Sequence, residues 1–433
     1  MEAIRWQSKM ACSRAHLDLL RAGLGALRRS PTTPEALTRR RSCRLQGLLR
    51  YAGRFSPYYR ELFDRRRLNP ADIRREDELT QLPVLERQTA RERSGEIMST
   101  EIALHACLQR KTHGTTGMPF AVPTLPLEQW LEAILWARCY LDAGFRPWQR
   151  QVKIALPCRI PSWPYLVQHL GLFRRTYVDA TRPVSEKIRE LKKAMPAALV
   201  CWASTLDEIT TELERADSFL NIPRVFSTSS MLWPSVRERA ARRLKARVTD
   251  VYGSIETGPV AWECEQQRGF HVHSDQVIVE LLDEAGRPAR AGRVVCTVLW
   301  RRAFPLIRYA LDDMAEWADT PCPCGRPYPL LRNLTGRAAD LVELPDGTRI
   351  SSVAVRAVVF EKPGIEQYQF VQETRTRFLL RIVAGSAFTA EVEGALLDEF
   401  RRQFSGALEL QIVKVRDLRG TPGAKFSPMV TLK

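Results

Sequence analysis

"PVSEKIRELKKAMPAALVCW", residues 183–202, changes its rule halfway. Val184, Ile188 and Leu191 recur at the three- and four-residue spacing of a helix with one apolar face. AALVCW (197–202) is then apolar almost without interruption, as in a strand buried on both sides. The alternation repeats outward: VKIALP (152–157) and RVFST (224–228) are further short apolar runs, and 127–142 and 234–246 carry helical spacing. Short buried strands alternating with helices predict an α/β fold of layered sheets and helices.

The flanks read differently. Residues 1 to 95 are rich in Leu and Arg at helical spacing, broken by SPYY (56–59) and LNPAD (68–72). HVHSDQVIVELLDEAGRPARAGRVVCTVL (271–299) predicts antiparallel strands around an AGRPARAG turn region. Beyond Gly336 come YQFVQ (368–372), RFLLRIVA (377–384), a helix near 389–404 and LQIVKV (410–415), enough for a small α+β lobe.

A chain of 433 residues with 45% hydrophobic composition can bury a large core, and its length suggests two or three domains. It contains no apolar run of membrane-spanning length, and MEAIRWQSKMACSRAHLDLL lacks the apolar block of a signal peptide, so a cytoplasmic location is expected. Ten cysteines in that setting read as thiols rather than a disulfide framework. The net charge of +17 is spread over RRSPTTPEALTRRR from Arg28, RRR at 65–67 and RERAARRLKAR from Arg237. Scattered in this way, and without a zinc-finger, homeodomain or RNA-recognition pattern, it reads as a solvated basic surface that attracts anions, not as a nucleic-acid interface.

KTHGTTGMPF (111–120) concentrates hydroxyls and glycines in one place. Such a stretch can close backbone amides and short side chains around an anion, and the natural guest is phosphate. Two common phosphate loops are excluded. GxxxxGK[ST] fails because Met118 follows Gly117, and GxGxxG fails at GLGALR, which ends on Arg28. Taken alone, the threonines equally suit a turn whose hydroxyls bond their own backbone.

A second cluster points to a metal. Cys264, His271, Cys322 and Cys324 form a C-x6-H…C-x-C set of ligand types that suit tetrahedral Zn²⁺. His271 and His273 lie at i and i+2 on one strand face, so the spacing leaves open which of them ligates. The remaining cysteines sit in apolar contexts and read as inert core residues.

Five stretches in order resemble the motifs of the adenylate-forming enzymes. They are THGTTGMP, DVYGSIETG (250–258), PLIRYALDDMAEW (305–317), GRAADLVELPDGTRI (336–350) and GAKFSP (423–428). SPYYRELF (56–63), LPVLERQ (82–88) and CPCGRPYPLL (322–331) resemble signatures of the phenylacetate-CoA ligase-like branch, which takes in coenzyme F390 synthetase-like and capsule-biosynthesis-type members.

The resemblance implies a large adenylation domain over 1–335, with a helical segment 1–95, and a small mobile α+β lid over 336–433. It implies that Thr112, Gly114, Thr115, Thr116 and Gly117 wrap the β- and γ-phosphates of ATP, and that Tyr252, followed by Gly253, stacks on adenine. Ser227 and Thr228, in VFSTSS, fall along the adenine edge. Glu256 holds Mg²⁺, Asp313 takes the ribose hydroxyls, Arg337 reaches ribose and phosphate, and Lys425 is the catalytic lysine, with Gly420 and Gly423 lending its loop mobility. Ala338 to Asp340 resembles the hinge of the lid.

Departures are also present. His113 replaces a serine, Met118 a lysine, Ser230 a glutamate and Asp312 a glycine, and a shift of register by one would give Asp312 the part of Asp313. The zinc set matches the branch and would be structural. The implied activity is ATP-dependent activation of an aryl or acyl carboxylate as acyl-adenylate, with coenzyme A as default acceptor and an amine or a carrier-protein thiol as runner-up. A non-catalytic nucleotide-binding homologue is the rival from another class. Trp136, Tyr140, Trp202 and Ser204 stand where an acyl pocket or ordinary core could be built. The sequence leaves the oligomeric state open.

Overall fold

The structure, a computed structural model, describes residues 33–111, 121–155, 166–228, 232–335, 341–343, 345, 349–351, 359, 362–403, 408–418 and 429–430. Helix α1 (Pro34–Phe55) begins where the sequence supplies a cap: the Thr33 hydroxyl accepts from the Ala36 amide at 3.2 Å, Pro34 takes the first turn, and Glu35 faces the positive end of the dipole. Ser56–Pro57 ends it and opens α2 (Pro57–Arg66), because proline has no amide to continue the ladder. The later helices used below are α3 (Arg87–Glu92), α4 (Pro126–Asp142), α5 (Val184–Ala194), α6 (Ala203–Arg215), α7 (Pro234–Leu244) and α8 (Ala390–Gln403). No helix among the described residues is long and apolar enough to cross a membrane.

The strands in the first half are β1 (Leu108–Lys111), β2 (Ala121–Thr124), β3 (Gln151–Ala155), β4 (Arg175–Asp179), β5 (Ala198–Trp202), β6 (Arg224–Thr228) and β7 (Arg247–Ser254). Next come β8 (Gly258–Glu263), β9 (Phe270–Val272), β10 (Val277–Leu282), β11 (Ala291–Val298), β12 (Tyr309–Trp317) and β13 (Leu330–Thr335). The last are β14 (Leu341–Glu343), β15 (Arg349–Ser351), β16 (Ile365–Gln372), β17 (Arg377–Ala384), β18 (Glu409–Lys414) and β19 (Met429–Val430).

The chain packs as two units. The first comprises Met1–Gly144 and Val251–Leu334, the second Phe145–Asp250 and Thr335–Lys433. In the first, strands follow in the order β10-β11-β12-β13-β9-β8-β7, with β10–β11, β11–β12, β13–β9, β8–β9 and β7–β8 antiparallel. Leu45, Leu48, Leu49 and Ala52 of α1 and Tyr59 of α2 share a core with Val260, Val272, Val294, Val298 and Tyr309 of these strands. That shared core fixes the N-terminal helices to the sheet carrying the motifs.

In the second unit β6-β5-β3-β4 are all parallel. β4 reaches β5 through α5 and β5 reaches β6 through α6, and helices crossing over such parallel strands bury both their faces, which is why β5 reads as an unbroken apolar run instead of an alternating one. Ile188 and Leu191 of α5, Leu206, Ile209 and Leu213 of α6 and Val236, Ala240 and Leu244 of α7 bury against Ile154, Leu199, Cys201 and Val225. The C-terminal residues of this unit form their own sheet, β18-β17-β16-β19, covered by Leu396 and Phe400 of α8 packed on Phe370, Phe378 and Leu380.

Cys139, Cys201 and Cys296 are buried as expected of core thiols, and burial pushes Cys201 up to about 12. Cys43 is a correction to that expectation: it is exposed, on a face of α1 other than the one lined by Leu37, Leu45 and Leu48.

Candidate functional site

β7 delivers Tyr252 and Gly253 at its C-terminal end, where the pairing with β8 shifts register. The bulge requires glycine: a Cβ on Gly253 would stand 2.3 Å from the Gly258 carbonyl oxygen and 2.9 Å from Pro259 Cα. The turn that follows is closed by hydroxyls. The Ser254 Oγ accepts from the Thr257 amide at 3.1 Å, and the Thr257 Oγ1 accepts from the Ser254 amide at 3.3 Å. Gly258, at φ +72°, carries the chain back into β8.

Glu256 projects from this turn and is buried. Arg87 Nη2, from the start of α3, lies 3.0 Å from its Oε1, and the Tyr309 hydroxyl donates to the same oxygen at 3.4 Å. Beneath the turn, the fully buried Arg301 donates to Thr124 Oγ1 at 2.7 Å and to the Ile255 carbonyl at 3.4 Å, with Glu128 at 3.6 Å as counter-charge. Arg301 therefore ties the end of β2 to the residue preceding Glu256. Lys111 pairs with Ala121 across β1 and β2, so residues 112–120 connect these two strands.

Tyr252 and Asp313, widely separated in sequence, meet: the tyrosine hydroxyl donates to Asp313 Oδ2 at 2.8 Å. Asp313 lies on β12. The side chain of Asp312 lies outside the described residues. Ser227 and Thr228 end β6, in register with Cys201 and Trp202 of β5. Ser227 is fully buried, and its hydroxyl has no hydrogen-bond partner among the described residues. Trp136 and Tyr140, 6.0 Å apart on α4, pack as core: Tyr140 is buried and Trp136 lies against Leu37, Val251 and Trp262. Thr112, Gly114, Thr115, Thr116, Gly117, Arg337 and Lys425 lie outside the described residues, as do His113, Met118, Ser230, Ala338 to Asp340, Gly420 and Gly423.

The cysteine and histidine cluster assembles. The donor atoms of Cys264, His271, Cys322 and Cys324 all lie within 4.8 Å of one another, with the Cys264 and Cys322 sulfurs 3.5 Å apart and Cys324 Sγ 3.2 Å from His271 Nε2. Two sulfurs on one zinc stand about 3.8 Å apart, given a Zn–S bond of ~2.3 Å, so the set is near the size such an ion needs. His271 Nδ1 lies 3.3 Å from the Tyr328 carbonyl. A proton on Nδ1 satisfies that oxygen and leaves the Nε2 lone pair facing the sulfurs, the usual arrangement around a ligating histidine. Burial pushes the Cys264 thiol up to about 12, a preference that a divalent cation among the sulfurs would reverse.

His273 has a different place. It stacks on Trp262 at 4.1 Å between ring centroids and approaches Arg138, so the alternation that left two candidates resolves to His271 within the cluster. Arg138 in turn grips the buried Asp275 through both oxygens, at 2.8 and 3.0 Å, while Arg44 of α1 donates to the Asp275 carbonyl at 2.5 Å.

Nothing in the sequence marks Arg87 or Tyr309 as a site residue. They lie within LPVLERQ and RYALDD, but a contact between residues so far apart in the chain leaves no trace in spacing or periodicity.

No protein-family model matches the chain. Over 382 residues it is 25% identical to the phenylacetate-coenzyme A ligase of Thermus thermophilus, covering 82% of this chain and 83% of that protein. With the phenylacetate-coenzyme A ligase of Aromatoleum evansii it shares 25% identity over 340 residues, 74% of this chain and 75% of the relative. Among solved structures, 2-hydroxyisobutyryl-CoA ligase in its postadenylation state with R3-HIB-AMP matches with a TM-score of 0.72 at 20% identity, covering 92% of this chain and 89% of that one. That structural likeness speaks for the fold: a large α/β body with a C-terminal sheet domain. Likeness in sequence along most of its length, at 25% identity, together with this shared fold, supports the adenylate-forming superfamily, in its phenylacetate-CoA ligase-like branch, as the group this chain resembles.

Proposed function

We propose that the protein is an AMP-forming carboxylate–coenzyme A ligase. A carboxylate oxygen attacks the α-phosphorus of ATP, the bond to the bridging oxygen breaks, and pyrophosphate leaves. The thiolate of coenzyme A then attacks the acyl carbon of the adenylate and AMP departs. The acceptor is assigned from the relatives, which are coenzyme A ligases by name.

The observation that carries the reading is the bond from Tyr252 to Asp313. In our reading the tyrosine ring lies against adenine, and its hydroxyl holds the aspartate where one carboxylate can accept from two neighbouring ribose hydroxyls. Ser227 and Thr228 border the base, with the buried Ser227 hydroxyl available to it. The amides and hydroxyls of Thr112, Gly114, Thr115, Thr116 and Gly117 enclose the β- and γ-phosphates, and Arg337 reaches ribose and phosphate. Lys425 steadies the charge that spreads over carboxylate and α-phosphate in the transition state. We take residues 1–335 as the body and 336–433 as the lid that carries this lysine.

A single buried carboxylate suits Mg²⁺, which keeps much of its water shell and is shared with phosphate oxygens. Glu256 would hold it, and the ion would supply positive charge against the phosphates. Cys264, His271, Cys322 and Cys324 would hold a Zn²⁺ with four protein ligands and no position open to water, a structural site.

The reading is tested by carboxylate-dependent exchange of labelled pyrophosphate into ATP, run across a panel of organic acids with hydroxylamine as trap. Activity with at least one acid is expected, and Lys425→Ala should slow exchange about a thousandfold with ATP affinity nearly unchanged, as for a group acting in the transition state. No exchange with any acid while ATP still binds would overturn it. Hydroxamate without any coenzyme A thioester would move the acceptor to an amine or a carrier protein.

A further inference from the structure

One cation beside Glu256, Arg87, has no part in the ligase chemistry described so far. Arg87 is the first residue of α3, and its guanidinium faces a Glu256 side chain only 4% exposed. Backbone pairing puts it there. The Leu85 amide donates to the Arg308 carbonyl at 2.8 Å, and the Leu85 carbonyl accepts from the Ala310 amide at 3.1 Å, so the segment leading into α3 is bridged to β12 on both sides of Tyr309. One oxygen of Glu256 thus receives a hydroxyl from the rigid strand and a cation from a long side chain that is 26% exposed.

The two partners differ in what they can do next. Tyr309 is buried and fixed, whereas an arginine stem reaching from a helix start to a partly open site can redirect its head. A carboxylate this buried needs a positive partner before any metal arrives, and a metal on the same oxygen would repel the guanidinium. The sequence THGTTG (112–117) contains neither lysine nor arginine, Lys111 standing just before it, while a triphosphate carries roughly four negative charges. A guanidinium released from Glu256 is a forked donor well matched to phosphate oxygens.

Building on the nucleotide site proposed above, we propose that Arg87 is one of its phosphate-binding residues: it keeps Glu256 charge-paired before nucleotide binds and turns to the β- and γ-phosphates when Glu256 takes Mg²⁺.

Arg87→Gln keeps an amide donor for Glu256 but no charge, and Arg87→Lys keeps a charge without the fork. Dissociation constants of the full chain for ATP with Mg²⁺ and for AMP separate the outcomes. Arg87→Gln should weaken ATP about tenfold, the scale of one charge-assisted contact, and leave AMP within about twofold, with Arg87→Lys recovering most of the loss. Equal weakening of ATP and AMP, or no weakening of ATP, would overturn the proposal. Should Arg87→Gln not fold, the same comparison is read between Glu256→Gln and the double variant Arg87→Met/Glu256→Gln, in which no carboxylate is stranded. Failure of the ligase reading looks different: the unmodified chain would then bind neither nucleotide or show no carboxylate-dependent exchange.

Discussion

Tyr252 brings two separable things to the site, a ring and a hydroxyl. Tyr252→Phe keeps the ring but releases Asp313 from its 2.8 Å bond, and should weaken ATP by about 1 kcal/mol, roughly fivefold. Tyr252→Ala removes the stacking surface as well and should lose about 1–3 kcal/mol more. Equilibrium titration with ATP checks both, and equal losses in the two variants would mean that the ring is not a platform. Asp275 makes a different, structural case. Burial alone would raise its carboxyl, but Arg138, bonded to both oxygens, more than reverses this and holds it below its ordinary value. The stability it contributes is therefore present above the unfolded value near 4 and lost as pH falls through the folded one. Asp275→Asn, which leaves Arg138 buried without its counter-charge, should cost about 3–5 kcal/mol at pH 7. In denaturant unfolding followed from pH 7 to 3, the gap to the unmodified chain should begin to narrow below about pH 4, by at most about 1.4 kcal/mol per pH unit; a gap independent of pH would show that the charge is not what matters.

Among the elements, the segment between β12 and β13 has little apolar material of its own. It carries Cys322 and Cys324 to Cys264, just past the end of β8, and to His271 on β9. If Zn²⁺ closes this set, protein purified without added metal should contain about one equivalent, and Cys322→Ser should lose most of it. Amide exchange should then quicken in β9 and β13, which pair at His271 and Leu330. Full zinc retention by the variant would remove the site. The ligand types were legible because their spacing is local, whereas the choice between His271 and His273 was not, since it depends on Trp262 and Arg138 arriving from other elements. The same division holds for the fold. RVFST was expected as a strand and is β6, Arg224–Thr228, and the helix expected over 183–194 is α5, Val184–Ala194, because each is buried among near neighbours. β7 and β12 were legible as motifs but not as strands. Their residues serve the candidate site, so Asp250, Ser254, Asp312 and Asp313 interrupt any apolar pattern. The insertion of β13 between β12 and β9 is a long-range pairing for which periodicity holds no information.

For the molecule as a whole, the proposed lid must be able to move, and its seat within the second unit suggests how cheaply. Asp207 of α6 and Arg239 of α7 form a buried ion pair, to which β16 adds Gln367, donating to Asp207 Oδ2 at 2.5 Å. Ser235 donates to the Glu366 carbonyl at 3.0 Å, and Trp233 meets Tyr368 edge-on at 4.9 Å. If β16 withdraws, Arg239 keeps Asp207, Thr210 and Glu214, so no buried charge is stranded. Among the described residues, what is lost is two hydrogen bonds, a long 4.0 Å ion pair between Arg239 and the half-exposed Glu366, and one aromatic contact, each worth about 1–2 kcal/mol or less. A seat this weak can be left on every catalytic cycle, and trimming it should bias the cycle. Gln367→Ala with Ser235→Ala removes both hydrogen bonds and should shift the balance between docked and undocked lid by about 2 kcal/mol. In our reading the two half-reactions place opposite demands on the lid, so the ratio of pyrophosphate exchange to coenzyme A thioester formation should change about thirtyfold. A substitution that only loosens the fold would lower both rates in proportion, and an unchanged ratio would show that these contacts do not set the lid's position.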